Sequence, residues 1–88
     1  MNIDGVQIIS DLKKILVEDL FVDIPLEDIK ENDSFTIDIG LDSVGLIELV
    51  TIVQDKYDLH INVEQDVSDH FRNLQSLSKF IESRISRK

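Results

Sequence analysis

Apolar residues recur every three or four positions in three stretches of this chain, which is the pattern of a helix that buries one face. The first stretch follows Asp4 or Ser10, either of which can cap a helix, and we expect it to end around Leu20–Val22. The second begins at Ser43, and the third follows Asn73. The apolar positions are Ile8, Leu12, Ile15, Leu16 and Leu20, then Leu46, Leu49, Val50, Val53 and Tyr57, then Leu74, Leu77, Phe80 or Ile81, and Ile85.

The connection between the first two helices is long. It runs from Asp23 to Leu41, and a loop of that length in a compact domain needs anchors in the core. Pro25 at an early position predicts one short helical turn that ends near Ile29. We expect five apolar side chains to pin the loop onto the bundle, namely Ile29, Phe35, Ile37, Ile39 and Leu41.

The second connection alternates apolar and polar residues, as a short strand does. Because no partner strand is predicted elsewhere, we interpret it as an extended loop that buries Leu59, Ile61 and Val63. Residues 64–72 are long enough for a short third helix at most. The sequence therefore predicts an all-α fold, a four-helix bundle with a long first loop and a short third helix, as a single domain spanning residues 1–88.

The strongly acidic composition of the chain indicates which classes of partner it can bind. The chain has 18 acidic and 9 basic residues, a net charge of −9. Five of the basic residues and only one acid lie in residues 72–88, so residues 1–71 carry a net charge of −13. Such a field repels nucleic acid and anionic lipid and attracts basic surfaces. We expect a monomer whose partners are proteins with basic docking surfaces.

Several classes of site receive no support. The chain has no cysteine, which excludes disulfides and thiolate metal ligands. The two histidines, His60 and His70, form no paired metal motif. The acids Asp33, Asp38 and Asp42 lack the alternating oxygen ligands of a calcium-binding loop, so we expect no metal and interpret these acids as caps and partner-facing charge. No apolar run is long enough to cross a membrane, and the N-terminus does not resemble a signal peptide, so we expect a cytoplasmic protein.

Candidate chemistry lies in the stretch from Gly40 to Val50. Gly40 permits backbone angles that a side chain disfavours, and Ser43 is a good helix cap. A helix N-terminus offers free N–H groups and a positive dipole end, so a phosphate esterified to Ser43 is favoured there. The plain alternative is that Ser43 only caps the helix, as serines before apolar periodic runs often do.

The string D-S-V followed by L-I-E-L-V, with the preceding Phe35…Gly40 approach, closely resembles the prosthetic-group site of acyl carrier proteins. The resemblance extends from about Leu12 to Ile81. It implies that Ser43 carries 4′-phosphopantetheine, whose thiol holds an acyl or aminoacyl group as a thioester. It also implies that a phosphopantetheinyl transferase attaches the arm from coenzyme A, and that Asp42 helps recognition and loop geometry. Acyl-loading and acyl-transfer enzymes are the further partners implied.

The flank of the central helix that faces away from its apolar stripe is a candidate docking surface. At 100° per residue it carries Val44, Ile47, Glu48, Thr51 and Asp55. In the family this helix is likewise the main recognition element. The alternative is that these are ordinary surface residues, since single exposed Val or Ile residues are common.

The resemblance is not complete. Gly45 stands two residues beyond the serine, where primary fatty-acid carriers usually have an acid, and the helix carries fewer acids than theirs. We therefore expect a discrete carrier of a specialised pathway, such as polyketide, nonribosomal-peptide or aminoacyl transfer. The alternatives are a D-alanyl carrier, which shares this glycine, a primary fatty-acid carrier, and a non-carrying acidic interaction module. Ser43 lacks the glycine-flanked turn and the adjacent base of a catalytic nucleophile, so no enzymatic activity is expected.

Overall fold

The computed structural model describes residues 4–86, and this part of the chain is helical without any strand. The four α-helices of the bundle confirm the predicted fold class, including the short third helix. They are α1 (Gly5–Lys14), α2 (Ser43–Tyr57), α3 (Val63–His70) and α4 (Leu74–Ser86), with a π-helical segment (Ile15–Asp19) after α1 and a 3-10 turn (Leu26–Asp28) in the first loop.

The first helix begins at Asp4, one of the two predicted caps. The Asp4 carboxylate accepts a hydrogen bond from the backbone N–H of Gln7 at 2.9 Å, whereas Ser10 lies inside the helix. The π-helical segment continues α1 as far as Asp19, and Leu20 caps it. This end falls where the sequence predicted it. No helix in the described part of the chain is long and apolar enough to cross a membrane.

A single core lies between the helices and under the first loop. The three predicted apolar stripes provide most of it, although Leu20, Leu46 and Ile85 are only half-buried. Its buried hydrophobic members are Ile8, Leu12, Ile15, Leu16, Ile29, Phe35, Ile39, Leu49, Val50, Val53, Tyr57, Ile61, Phe71, Leu74, Leu77, Phe80 and Ile81.

The helices α1 and α2 run antiparallel. Tyr57, the last residue of α2, reaches back to Asp11 in the middle of α1, where its hydroxyl donates a hydrogen bond at 3.2 Å. The helix α2 also contacts the π-helical segment, which follows the C-terminal end of α1. The N-terminus of α2 therefore lies at the end of the bundle where α1 finishes. The main partner of α1 is α4.

The first loop is anchored as predicted by Ile29, Phe35 and Ile39, and Leu41 packs against the core while half-buried. The prediction for Ile37 is wrong, because this side chain is 85% exposed. A compact turn explains the difference, since the N–H groups of Asp38 and Ile39 both donate to the Ser34 carbonyl, at 3.0 and 2.9 Å. In such a helical turn Phe35 and Ile39, four residues apart, share a face, and Ile37 points away.

Backbone hydrogen bonds join this loop to the junction of α3 and α4. The Phe35 N–H donates to the Arg72 carbonyl at 2.9 Å, and the Gln75 N–H donates to the Glu31 carbonyl at 3.1 Å. Gln75 is the second residue of α4, so the loop accepts from an N–H that has no partner within its own helix. The long loop is thereby part of the packed structure.

The second connection is only partly as predicted. Ile61 is buried and Leu59 is half-buried, but Val63 is exposed, contrary to the prediction. Val63 is the first residue of α3, and Asn62 caps that helix by accepting from the N–H groups of Glu64 and Gln65. The alternating apolar and polar pattern of the loop therefore ends at Asn62, and Val63 follows the period of the helix. Asn73 caps α4 as predicted, since its side-chain oxygen accepts from the Ser76 N–H at 2.8 Å.

Candidate functional site

Ser43 is the first residue of α2, and its side chain is exposed. The prediction that Ser43 caps the helix is wrong, because the cap is Asp42. The Asp42 backbone is extended, and its carboxylate accepts a hydrogen bond from the Gly45 N–H at 2.8 Å. Both residue types are good caps, so local sequence alone did not distinguish them. The consequence is that the Ser43 hydroxyl makes no hydrogen bond with the described residues.

The backbone before the site is fixed by a tight turn. Gly40 has a φ of +88°, in the region that favours glycine, as predicted. The next N–H, that of Leu41, donates to the Phe35 carbonyl at 2.8 Å. Because Phe35 is buried in the core, this bond ties the approach to Ser43 to the interior of the bundle.

Gly45 has a structural role that sequence reasoning missed. A Cβ at this position would lie 3.2 Å from a methyl carbon of Leu41 and 3.4 Å from the capping oxygen of Asp42. Without a side chain there, Leu41 and the Asp42 carboxylate can lie close against the first turn of α2. An acid at position 45 would also add negative charge beside Asp42. The glycine therefore fits the way this chain caps the helix.

The five residues predicted to face partners all lie on the solvent side of α2. Val44 is 63% exposed and Ile47 is 43% exposed. Glu48, Thr51 and Asp55 are exposed as well, and the Thr51 hydroxyl donates back to the Ile47 carbonyl at 3.1 Å. The opposite side of the helix is buried through Leu49, Val50, Val53 and Tyr57. An apolar and acidic surface thus extends along α2 from Ser43.

The three acids considered as calcium ligands serve backbone turns. The Asp33 carboxylate accepts from the Lys30 N–H at 3.0 Å, and that of Asp38 accepts from the Ser34 N–H at 2.8 Å. Asp42 caps α2, as described above. Residues 4–86 contain no group of three side chains placed to hold a metal ion.

Neither histidine is hydrogen-bonded to Ser43 within the described residues. The His70 ring stacks on Phe80 with centroids 4.3 Å apart, and the Arg84 guanidinium lies over the Phe80 ring, 4.6 Å from its centroid. His60 is exposed, and its carbonyl accepts from Arg84 at 3.4 Å. The site therefore presents an exposed hydroxyl at a helix N-terminus.

Comparison with known proteins agrees with this geometry. A family described as the phosphopantetheine attachment site matches residues 6–81. An acyl carrier protein of Sulfurovum sp. (strain NBC37-1) is 31% identical over 74 residues, 84% of this chain and 93% of the relative. One from Chlamydia caviae is 35% identical over 75 residues, covering 85% and 92%, and one from Phenylobacterium zucineum is 31% identical over 78 residues, covering 89% and 94%.

The chain belongs to the acyl carrier protein family, as its sequence resemblance predicted. Its prosthetic group is 4′-phosphopantetheine. Members of this family act as carriers, and they meet acyl-handling enzymes and a phosphopantetheinyl transferase.

Proposed function

We propose that 4′-phosphopantetheine is attached to Ser43 and that the chain carries acyl or aminoacyl groups as thioesters on this arm. The observation that supports this proposal best is the exposed hydroxyl at the first residue of α2. This hydroxyl does not cap the helix, because the Asp42 carboxylate does so. Esterification would weaken the capping hydrogen bond of a serine whose oxygen accepts from a backbone N–H. Here the modification leaves the cap intact.

The electrostatics of the first turn favour the modified form. A phosphodiester on Ser43 is an anion next to the N–H groups and the positive dipole end of a helix of 15 residues. The first turn of α2 holds no acidic residue that would oppose it. Asp42 is the nearest carboxylate in sequence, and its capping oxygen is already bonded to the Gly45 N–H.

The arm supplies a thiol, which this chain lacks because it has no cysteine. The chain's own part is to present the arm and to bind the enzymes that act on it. Tethering replaces free encounters between intermediate and enzyme with docking, which raises the effective concentration. We assign docking to the solvent side of α2, that is, to Val44, Ile47, Glu48, Thr51 and Asp55, with Asp42 contributing to recognition by the transferase. Their acids suit enzymes with basic docking surfaces.

We further propose that the carrier serves a specialised pathway, of the polyketide, nonribosomal-peptide or aminoacyl kind. Gly45 and the small number of acids on α2 support this assignment. Primary fatty-acid carriers usually have an acid at the position of Gly45 and more acids on this helix. The same glycine favours a D-alanyl carrier as a second candidate. The similar proteins are acyl carrier proteins, which supports an acyl cargo in general.

We infer that the chain acts as a monomeric cytoplasmic carrier and catalyses no reaction itself. Nucleophilic catalysis needs a base within hydrogen-bond reach of the hydroxyl. The ring of His70 is stacked on Phe80, and neither histidine contacts Ser43 through a hydrogen bond among the described residues. The net charge of −9 supports protein partners in preference to nucleic acid or anionic membrane surfaces.

The test is intact-mass measurement after incubation with coenzyme A and a broad-specificity phosphopantetheinyl transferase. We expect the wild type to gain one phosphopantetheine group, mapped to Ser43 by peptide analysis, and Ser43→Ala to gain none. A wild type that stays unmodified would favour the non-carrying interaction module instead. Loading the modified protein with malonyl, aminoacyl and D-alanyl donors through their respective enzymes then distinguishes the pathways.

A further inference from the structure

Phe21 combines two unfavourable features for folding. Its φ is +56°, in the left-handed region, and its side chain is 83% exposed. The other residues with positive φ in the described part of the chain are Gly40 and Asp58. Glycine and aspartate are residue types that tolerate this region, whereas a bulky side chain there is an outlier. Phe21 is therefore the exception among the three.

The turn at Phe21 does not require an aromatic residue. It ends the first helix, with the Leu20 N–H donating to the Ile15 carbonyl at 3.0 Å and the Val22 N–H donating to the Leu16 carbonyl at 2.9 Å. Glycine is the usual residue at a left-handed helix end, because it adopts this conformation without steric cost. Since the ring contributes nothing to the core, stability does not explain it. Strained positions of this kind concentrate at functional sites.

Phe21 lies at the same end of the bundle as Ser43. The antiparallel contact between Tyr57 and Asp11 sets the register of α1 and α2. Phe21 follows the π-helical segment that continues α1, and Ser43 is the first residue of α2, at the end far from Tyr57. Both residues thus lie at the end of the bundle where α1 finishes.

The ring is surrounded in sequence by negative charge. Between Lys14 and Lys30 the chain has five acids and no basic residue. Three of these acids, Glu18, Asp19 and Asp23, lie within three positions of Phe21 and are exposed. An exposed apolar side chain flanked by charged residues is the pattern expected of a binding anchor with a polar rim. Its complement is an apolar pocket with a basic rim.

We propose that Phe21 is a docking anchor for the phosphopantetheinyl transferase that modifies Ser43. This inference rests on the proposed function. We assign this anchor to the transferase because that enzyme must reach the Ser43 hydroxyl itself. It must therefore cover the protein surface at this end of the bundle. Enzymes that act later meet a thiol at the tip of a long arm, so their contacts are less restricted to this end.

The experiment is steady-state modification of the unmodified chain by coenzyme A and the transferase of the same organism. For Phe21→Gly we expect KM for the carrier to rise about tenfold, the loss typical of an interface anchor. The kcat should stay within about twofold, because binding and not chemistry is affected. The melting temperature should rise by about 4 °C, since glycine relieves the backbone strain.

Two further variants serve as controls. Phe21→Tyr keeps an aromatic ring, so its KM should match the wild type. Val6→Ser removes an apolar side chain that is 78% exposed at the opposite end of α1, and should change neither KM nor kcat.

An unchanged KM for Phe21→Gly, with Ser43 modified normally, would overturn the anchor and leave the carrier assignment intact. A lower melting temperature for Phe21→Gly would contradict the argument from strain. A wild type that is never modified would remove both the anchor and the carrier assignment.

Discussion

The hydroxyl of Tyr57 donates a hydrogen bond to the carboxylate of Asp11 at 3.2 Å, and this contact joins the last residue of α2 to the middle of α1. Burial raises the pKa of Tyr57 above the usual range of a tyrosine, and the adjacent negative charge of Asp11 and the hydrogen bond to it raise the pKa further. The folded protein therefore favours a neutral Tyr57.

This contact predicts a loss of stability at alkaline pH. The tyrosine of the unfolded chain ionises near pH 10, whereas the folded protein retains its proton to higher pH. Above about pH 10 the unfolded state therefore binds fewer protons than the folded state, and the free energy of unfolding falls as pH rises. Urea midpoints from pH 8 to 11 measure it, with Tyr57→Phe as the control. Lysines titrate in both proteins, so the steeper fall of the wild type reports Tyr57, and parallel curves would contradict the assignment.

A second prediction concerns the cap of α2. Asp42→Ala should lower the free energy of unfolding by about 1 kcal/mol, since it removes the acceptor for the Gly45 N–H. Ser43→Ala should change it by less than about 0.5 kcal/mol, because that hydroxyl is exposed and uninvolved in capping. Chemical denaturation of the unmodified proteins measures both. A loss for Ser43→Ala as large as that for Asp42→Ala would show that the serine shares the capping role.

A third prediction concerns the first loop. Phe35 is fully buried, so Phe35→Ala should cost roughly 3–5 kcal/mol and leave a domain of this size marginally stable. The matched control is Ile37→Ala in the same turn. Because Ile37 is exposed, that change should cost less than about 0.5 kcal/mol. Equal losses for the two variants in urea titrations would mean that the loop packs differently.

A fourth prediction tests docking on α2. Ile47→Ala and Glu48→Lys should each slow loading or transfer by a cognate enzyme, and each should change stability by less than about 0.5 kcal/mol, as expected of exposed residues. The effect of Glu48→Lys should shrink as salt is added, because charges are screened within ~10 Å at 0.1 M ionic strength. Transfer rates and melting curves at low and high salt measure both. If every cognate enzyme works equally well on both variants, this surface takes no part in docking.

The sequence was most informative where one pattern repeated over several turns. The stripes of α1, α2 and α4 located the core, because an amphipathic helix has one way to bury its apolar face. The error at Ile37 arose because this residue was expected to anchor the first loop together with its apolar neighbours, and the error at Val63 because alternation over a few residues was interpreted as an extended loop. Ile37 lies in a helical turn, and Val63 is the first residue of α3, so the side chains at both positions follow a helical period.

The cap of the helix at the candidate site was predicted to within one residue. Asp42 and Ser43 are adjacent and equally suited to capping, and only the backbone conformation decides between them. The left-handed turn at Phe21 had no local signal of its own, because phenylalanine is not a residue type that favours this conformation. The acids near Phe21 in the sequence contributed only to the net charge in the sequence analysis, and their position around an exposed aromatic residue was not used.

The bonds between the first loop and the α3–α4 junction have a consequence for local opening. The amide proton of Phe35 is held by the Arg72 carbonyl, so it exchanges with solvent only when the loop separates from that junction. Because Phe35 is also buried, such separation exposes part of the core, and its free energy approaches that of global unfolding. We therefore expect the segment that leads to Ser43, which has no regular helix, to open together with the bundle as one cooperative unit.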